Sequence, residues 1–254
     1  MPLTIDINAD IGEGAGTSHL AEDSALLELI SSANIACGFH AGDATSMRET
    51  VRASRSRGVA IGAHPSYPDL TGFGRRELGL ATRQIRVHVA AQVKALRDIC
   101  TAEGARLSYV KPHGALYNRA SRKPDAARAV IDAIREVDGT LVLLGLAGSE
   151  MQSAAENAGI RFASEAFADR AYGSDGFLVP RNHPGATIED VDSAVARAVQ
   201  LVKRNTLTSI DGVELPIHAA SLCVHGDNPR ALQLVTALRS GLESAGVRIA
   251  PFAA

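Results

Sequence analysis

Acidic and basic side chains recur at one point of a repeated pattern, where a short apolar segment gives way to glycine or proline. These residues are Asp10 and Glu13, His40 and Asp43, His64 and Asp69, Lys111 and His113, Glu165 with Asp169 and Arg170, and His225 and Asp227. Carboxylates and imidazoles exchange protons near neutral pH and also bind divalent metals. The repetition therefore indicates a reaction centre assembled from several segments of the chain.

The acids of the first segment show the two interpretations open at each of these positions. Asp6, Asn8, Asp10 and Glu13 crowd together and are interleaved with glycine. A solvated turn that caps the next helix has this composition, and so does one wall of an active site. A single histidine after a strand more often forms a structural hydrogen bond than catalyses a reaction. Four such histidines, each beside glycine or proline, favour one shared site.

Two kinds of chemistry fit these side chains. Residues from different segments could hold a divalent metal, or could act as acid and base around a bound water. The sequence has no His-Glu-x-x-His pair and no paired cysteines to decide between them. Lys111, between Val110 and Pro112, could meet a carboxylate, a phosphate or an oxyanion. P-loop, G-x-G-x-x-G and G-x-S-x-G motifs are missing, so a nucleotide would need another arrangement.

The segments that carry these residues read as strands, and helix-like stretches separate them. Leu3–Asn8 alternates apolar and polar residues, as strands do. The other predicted strands are Ala33–Gly38, Val59–Pro65, Leu107–Val110, Leu141–Leu144, Arg161–Ala168 and Ser221–Val224, with a terminal strand over Val247–Ala250. About seven such units without a linker predict one α/β domain over residues 1–254. We expect a distorted, TIM-like barrel of parallel strands, with a doubly wound sheet as the alternative.

Composition excludes several classes of function. The chain has 254 residues, a net charge of −2 and 4% aromatic residues without tryptophan, which argues against a nucleic-acid partner. No apolar run approaches the roughly 20 residues that cross a bilayer, and no leader is recognisable, so we expect a cytoplasmic protein without a membrane partner. Cys37, Cys100 and Cys223 are widely spaced, as expected of reduced thiols.

Six long segments carry a family resemblance. They are Asp6–Gly14, Asn34–Asp43, Gly62–Asp69, Val110–Asn118, Glu165–Tyr172 and Cys223–Asp227. In this order, and over essentially the whole chain, they resemble the motifs of the LamB/YcsF family. The resemblance implies an ATP-dependent enzyme that opens the lactam of 5-oxo-L-proline to give L-glutamate. It also implies ATP with Mg²⁺ as cofactor, and subunits B and C of a 5-oxoprolinase as partners.

The resemblance extends to residue roles. It implies a barrel similar to that of polysaccharide deacetylases, in which an acid and two histidines bind a metal, and the matching positions here are Asp10, His40 and His64. The deacetylase His-x-x-x-His pair is absent, because Pro68 stands where its second histidine would be. With the charges noted above, it predicts the catalytic residues Asp10, His40, Asp43, His64, Lys111 and His113, of which the carboxylates and histidines would position and deprotonate water. The predicted substrate-binding residues are Asn8, Glu13, Glu165, Arg170 and His225, and Lys111 or Arg170 would hold the substrate carboxylate or the phosphorylated oxygen.

Two other functions compete with this prediction. The chain could be a metal-dependent amidohydrolase or deacetylase that acts without ATP. It could also be a non-catalytic component that presents oxoproline to its partners. Metal content, a chelator test and single-turnover assays would separate the three hypotheses.

Overall fold

The structure is a computed structural model that describes residues 3–14, 18–224 and 230–253. The strands are β1 (Thr4–Ile11), β2 (Ser32–Ala36), β3 (Ala60–His64), β4 (Leu107–Val110), β5 (Val142–Leu146), β6 (Phe162–Phe167), β7 (Thr206–Thr208), β8 (Glu214–Pro216), β9 (Ser221–Val224) and β10 (Arg248–Ile249). The helices are α1 (Ser18–Leu27), α2 (Ala44–Ser56), α3 (Thr82–Ala102), α4 (Gly114–Arg122), α5 (Pro124–Asp138), α6 (Glu150–Ala158), α7 (Val191–Arg204) and α8 (Ala231–Ser244).

Seven parallel strands close into a barrel. They follow the order β1-β2-β3-β4-β5-β6-β9, and β9 pairs back onto β1. β10 adds to the start of β1, with Arg248 opposite Thr4, and β7 and β8 form a separate antiparallel hairpin. This arrangement confirms the TIM-like barrel, and the doubly wound alternative is wrong. Among the described residues, no helix has the length and apolarity needed to cross a bilayer.

The alternation in β1 decides which side chains enter the barrel. Ile5 and Ile7 pack into the main apolar core, while Asp6, Asn8 and Asp10 are buried in the barrel interior. The interior is therefore polar, and β1 runs further than predicted, to Ile11. A side chain on one strand meets neighbours on others, as the hydrogen bond from the Asn8 amide to Glu165 shows. Polar residues of β1 thus line an enclosed space instead of a solvated turn.

Glycine makes room for one large interior side chain. A Cβ on Gly62 of β3 would overlap the ring of Tyr109, which is fully buried and donates a hydrogen bond to Asn34.

A second glycine, Gly114, begins α4. Gly114 has a φ of 57°, and a Cβ there would lie 2.5 Å from the Gly74 carbonyl oxygen. That close approach brings the long loop after β3 against the start of α4. The sequence prediction missed α4, because the helix is short and begins at this glycine.

Candidate active site

Three histidines and a glutamate meet at the carboxyl ends of the strands. Glu13 follows β1, His40 follows β2, His64 ends β3, and His113 precedes α4. One ligand atom from each residue lies within 4.8 Å of the others. The three imidazoles are buried, and Glu13 is partly exposed. The parallel topology brings them together, since each strand delivers its last residues to the same end of the barrel.

Short distances tie this cluster together. The Nε2 atom of His40 lies 2.9 Å from Oε1 of Glu13, and Nδ1 of His113 lies 2.9 Å from Nε2 of His64. Glu13 Oε1 is also 3.4 Å from Nδ1 of His113. The rings of His40 and His113 stack 3.9 Å apart. We call Glu13, His40, His64 and His113 the histidine cluster.

Burial keeps two of these imidazoles neutral. Loss of solvent, reinforced by the neighbouring His64, lowers the pKa of His40 to about 3. The same two causes hold the pKa of His113 well below its ordinary value. Both rings are therefore uncharged at pH 7, and each has one nitrogen with a lone pair available to a proton or a metal.

Lys111 forms the centre of a second group directly beneath the cluster. Its Nζ atom lies 2.9 Å from Oε1 of Glu165, 3.1 Å from Oδ1 of Asn8 and 3.3 Å from Oδ1 of Asp10. Burial alone would lower the pKa of Lys111, but the nearby carboxylates outweigh it and hold the pKa well above its ordinary value. The Cys223 thiol completes this shell at 3.0 Å. Lys111 therefore carries a charge that holds two buried acids in place.

Asp10 joins the two groups. Its Oδ1 atom lies 3.3 Å from Nε2 of His64 and the same distance from Lys111 Nζ, and it accepts a hydrogen bond from the Asn34 amide at 2.8 Å. On the other side of Lys111, the Tyr117 hydroxyl donates to Oε2 of Glu165 at 2.9 Å. The two acids are thus fixed in orientation by amide, hydroxyl and ammonium donors.

A pocket with a volume of about 470 Å³ opens above these groups. Asp10, His64, Lys111 and His113 form part of its wall. Apolar side chains and exposed arginines complete the lining, among them Phe167, Leu178, Arg75, Arg122 and Arg181. An anion entering this pocket would pass guanidinium groups before reaching the acids and imidazoles.

The structure brings most of the predicted site residues together. Asn8, Asp10, Glu13, His40, His64, Lys111, His113 and Glu165 lie in the cluster or in the group beneath it. Arg170 also lines the pocket, but its Nε and Nη2 atoms donate to the carbonyl oxygens of Ala186 and Val179. It therefore anchors the loop over 171–187 as well as facing the pocket. His225 lies outside the described residues.

Asp43 is the exception, because the structure places its side chain at the start of α2 and not in the histidine cluster. Its exposed carboxylate accepts hydrogen bonds from the backbone amides of Thr45 and Ser46, which makes it the N-cap of α2. These two amides hold its pKa below the ordinary range. Asp43 follows the same strand end as His40, but its carboxylate is turned to the helix instead of the pocket.

Several residues that orient the site's side chains or line the pocket were not predicted from the sequence. Ser66 and the carbonyl of Phe73 orient histidines of the cluster, Asn34 and Tyr117 orient acids, and three arginines line the pocket. Tyr117 had one available signal, since it follows His113 by four residues and so shares a face with it if the segment is helical. The carbonyl of Phe73 had none, because any residue supplies a backbone oxygen.

Comparison with known proteins identifies the family. The model of the LamB/YcsF family matches residues 5–254. A protein of Paracidovorax citrulli, named as the A subunit of 5-oxoprolinase, is 47% identical over 251 residues, covering 99% of this chain and all of the relative. One of the same name from Streptomyces avermitilis is 49% identical, covering 98% of this chain and all of the relative.

Solved structures agree with this result. The crystal structure of a lactam utilization protein from Thermus thermophilus superposes with a TM-score of 0.91 at 42% identity, covering 98% of this chain and all of that chain. A GH113 β-1,4-mannanase, only 12% identical, superposes with a TM-score of 0.53 over 96% of this chain and all of that chain, and shares the fold alone. From its sequence motifs, its barrel and these matches, the chain belongs to the LamB/YcsF family.

Proposed function

We propose that this chain is the A subunit of an ATP-dependent 5-oxoprolinase, which hydrolyses the lactam of 5-oxo-L-proline to L-glutamate while ATP becomes ADP and phosphate. The observation that carries the proposal is identity near one half, over full length, to relatives named as the A subunit of 5-oxoprolinase. The name of the Thermus thermophilus protein, which refers to lactam utilization, agrees with it. The relatives' names also support a complex of several chains, and we propose subunits B and C as the partners.

The chemistry explains a need for ATP. A five-membered lactam has little strain, and its amide carbonyl is a poor electrophile. Transfer of the γ-phosphoryl group to the amide oxygen gives an imidate phosphate, to which water adds at the ring carbon. The C–N bond then breaks and the nitrogen takes a proton, which leaves an acyl phosphate. A second water converts this to carboxylate and phosphate, so that one ATP and two waters are consumed.

The pocket offers groups for these steps. Asp10 on its wall can accept a proton from water, and His64 and His113 beside it can help to position that water. The arginines at 75, 122 and 181 can bind the substrate carboxylate and the phosphoryl oxygens, because guanidinium groups pair with both in a bidentate way. Lys111 holds the carboxylates of Asp10 and Glu165 in place. Positioning and charge stabilisation would supply most of the rate enhancement.

A second candidate function is hydrolysis without ATP by a metal-dependent amidohydrolase. The specific observation in its favour is the histidine cluster, whose ligand atoms converge as metal ligands do. The two candidates differ in what they need, because only the first requires a nucleotide and partner chains.

One assay separates the candidates. Glutamate and ADP are measured with the chain alone and with subunits B and C, each with and without ATP. The proposal expects glutamate and ADP in equal amounts, and only when ATP and all subunits are present. Glutamate formed by the chain alone without ATP, and lost after chelation, would replace the first candidate by the second.

A further inference from the structure

Each histidine of the cluster has one ring nitrogen committed to an acceptor outside the cluster. Nδ1 of His64 lies 2.7 Å from the Lys111 carbonyl oxygen, and Nε2 of His113 lies 2.9 Å from the Phe73 carbonyl oxygen. A carbonyl oxygen only accepts, so both nitrogens carry a proton. Nδ1 of His40 lies 2.9 Å from Ser66 Oγ, which itself donates to the Tyr67 carbonyl at 2.8 Å. Ser66 therefore accepts, and His40 Nδ1 carries a proton too.

A ring whose single proton lies on its outer nitrogen has a lone pair on its inward nitrogen, and these lone pairs face one another. Nε2 of His64 and Nδ1 of His113 lie 2.9 Å apart, which is a hydrogen-bond distance without a proton to form the bond. Nε2 of His40 faces the Glu13 carboxylate oxygen, also at 2.9 Å. Two acceptors at this separation repel each other unless a cation lies between them. That cation is either an added proton or a metal ion.

The spacing suits a metal ion. With metal–nitrogen bonds of about 2.0–2.1 Å, two ligands of a tetrahedral ion lie about 3.4 Å apart. The cluster has separations of 2.9, 3.4 and 3.9 Å among its ligand atoms, on both sides of that value. The hydrogen bonds from the outer nitrogens to carbonyl and hydroxyl oxygens are also typical of a metal site. Such bonds fix the orientation and the tautomer of metal-binding histidines.

We propose that the histidine cluster binds one divalent transition metal ion through Nε2 of His40, Nε2 of His64, Nδ1 of His113 and the carboxylate of Glu13. Three imidazoles with one carboxylate form a ligand set that zinc and similar borderline-soft ions prefer to magnesium. The site would thus be distinct from one for the Mg²⁺ that accompanies ATP. It does not depend on the proposed lactam reaction, because binding alone tests it.

This ligand set differs from the one implied by the sequence resemblance. Asp10 was expected beside His40 and His64, but its Oδ1 atom is taken up by the Asn34 amide and the Lys111 ammonium. Glu13 and His113 take its place around the other two. Asp10 stays 3.3 Å from His64 Nε2, next to the proposed ligands but not among them. When bound, such an ion makes water more acidic and polarises a carbonyl or phosphoryl oxygen.

Metal binding is measured on the purified full-length chain after chelation and dialysis. Titration with Zn²⁺ alone is followed by calorimetry, and titration with Co²⁺ alone by visible absorption, which reports tetrahedral coordination. We expect one ion per chain and Co²⁺ bands typical of a four-coordinate site. No saturable binding at micromolar metal would overturn the proposal and leave a shared proton as the cation in the cluster.

Variants locate the site. Ser66→Ala removes the oxygen that orients His40 and should weaken Zn²⁺ binding about 10- to 100-fold, the usual effect of losing such a partner. His113→Asn removes a ligand and should weaken it further and change the Co²⁺ spectrum. His183→Asn is the matched control, because His183 is exposed in the loop over 171–187. Unchanged affinity in both folded test variants would overturn the assignment. If His113→Asn does not fold, Ser66→Ala and the wild-type stoichiometry still decide.

Discussion

Asp6 gives the most direct test of the polar barrel interior. Its carboxylate accepts hydrogen bonds from Ser31 Oγ at 2.5 Å and from Ser32 Oγ at 2.6 Å, and Ser221 Oγ donates to its other oxygen. Asp6 is 1% exposed. Burial raises its pKa to about 6, although the three hydroxyls act in the opposite direction. The perturbation is Asp6→Asn, which keeps the shape of the side chain and removes its titration.

The sign of the effect follows from the raised pKa. Between the ordinary value of 3.8 and about 6, the folded chain holds a proton on Asp6 that the unfolded chain has lost. The free energy of unfolding of the wild type therefore falls as pH rises through this window and loses nothing more from Asp6 above it. A difference of about two pKa units corresponds to about 3 kcal/mol. The Asn side chain does not titrate, so the free energy of unfolding of the variant does not fall in this way.

Urea unfolding of wild type and Asp6→Asn, compared at equal pH from 4 to 8, measures the effect. Other titrating groups are common to both proteins and cancel in the difference. We expect the variant to gain on the wild type by up to about 3 kcal/mol between pH 4 and pH 7, and the difference to be flat above that. A difference that is constant over the whole range would refute the raised pKa and the dry, polar interior.

Two further predictions concern acids outside the histidine cluster. Lys111→Met should lower the free energy of unfolding by about 3–5 kcal/mol, because it leaves the buried carboxylates of Asp10 and Glu165 without their ammonium partner. Urea unfolding at pH 7 measures this change. A loss below about 1 kcal/mol would contradict the pairing of Lys111 with these two acids. Asp43→Ala should lower the melting temperature slightly through loss of a helix cap and leave turnover within about twofold of wild type; a large loss of turnover in the folded variant would return Asp43 to the active site.

The sequence contained enough to predict the barrel and the end of it that carries the site. Each strand was marked by apolar residues and a glycine or proline after it, and parallel topology alone then gathers the residues that follow. The sequence did not show which way a side chain in a loop would point. Asp43 and His40 follow the same strand, yet backbone amides of α2 capture the first while the second turns to the barrel axis.

The sequence also did not show which acid would lie beside the histidines. Asp10 lies near the end of β1 and Glu13 follows the strand. Which of the two acids lies beside the histidines depends on the other contacts that each acid makes. Asn34 and Lys111, from β2 and the end of β4, bind Asp10, which keeps a contact with His64 alone, whereas Glu13 lies beside all three imidazoles. Such a preference arises from contacts between strands, which spacing along the chain does not encode. The short helix α4 was missed for a similar reason. It begins at Gly114, which is required by the close approach of the Gly74 carbonyl from another loop, and a contact of this kind cannot be read from the sequence.

Turnover of the complete complex, with and without the side chains on the pocket wall, shows whether this chain takes part in catalysis. Glutamate formation from 5-oxoproline and ATP is measured with subunits B and C present, for wild type, Asp10→Asn, His113→Asn and the control His183→Asn. We predict a loss on the order of a hundredfold for the first two variants, because Asp10 is placed to exchange a proton with water and His113 to position the groups around it, and none for the control. Wild-type turnover in both folded pocket variants would contradict the account and make the chain a carrier of oxoproline for its partners.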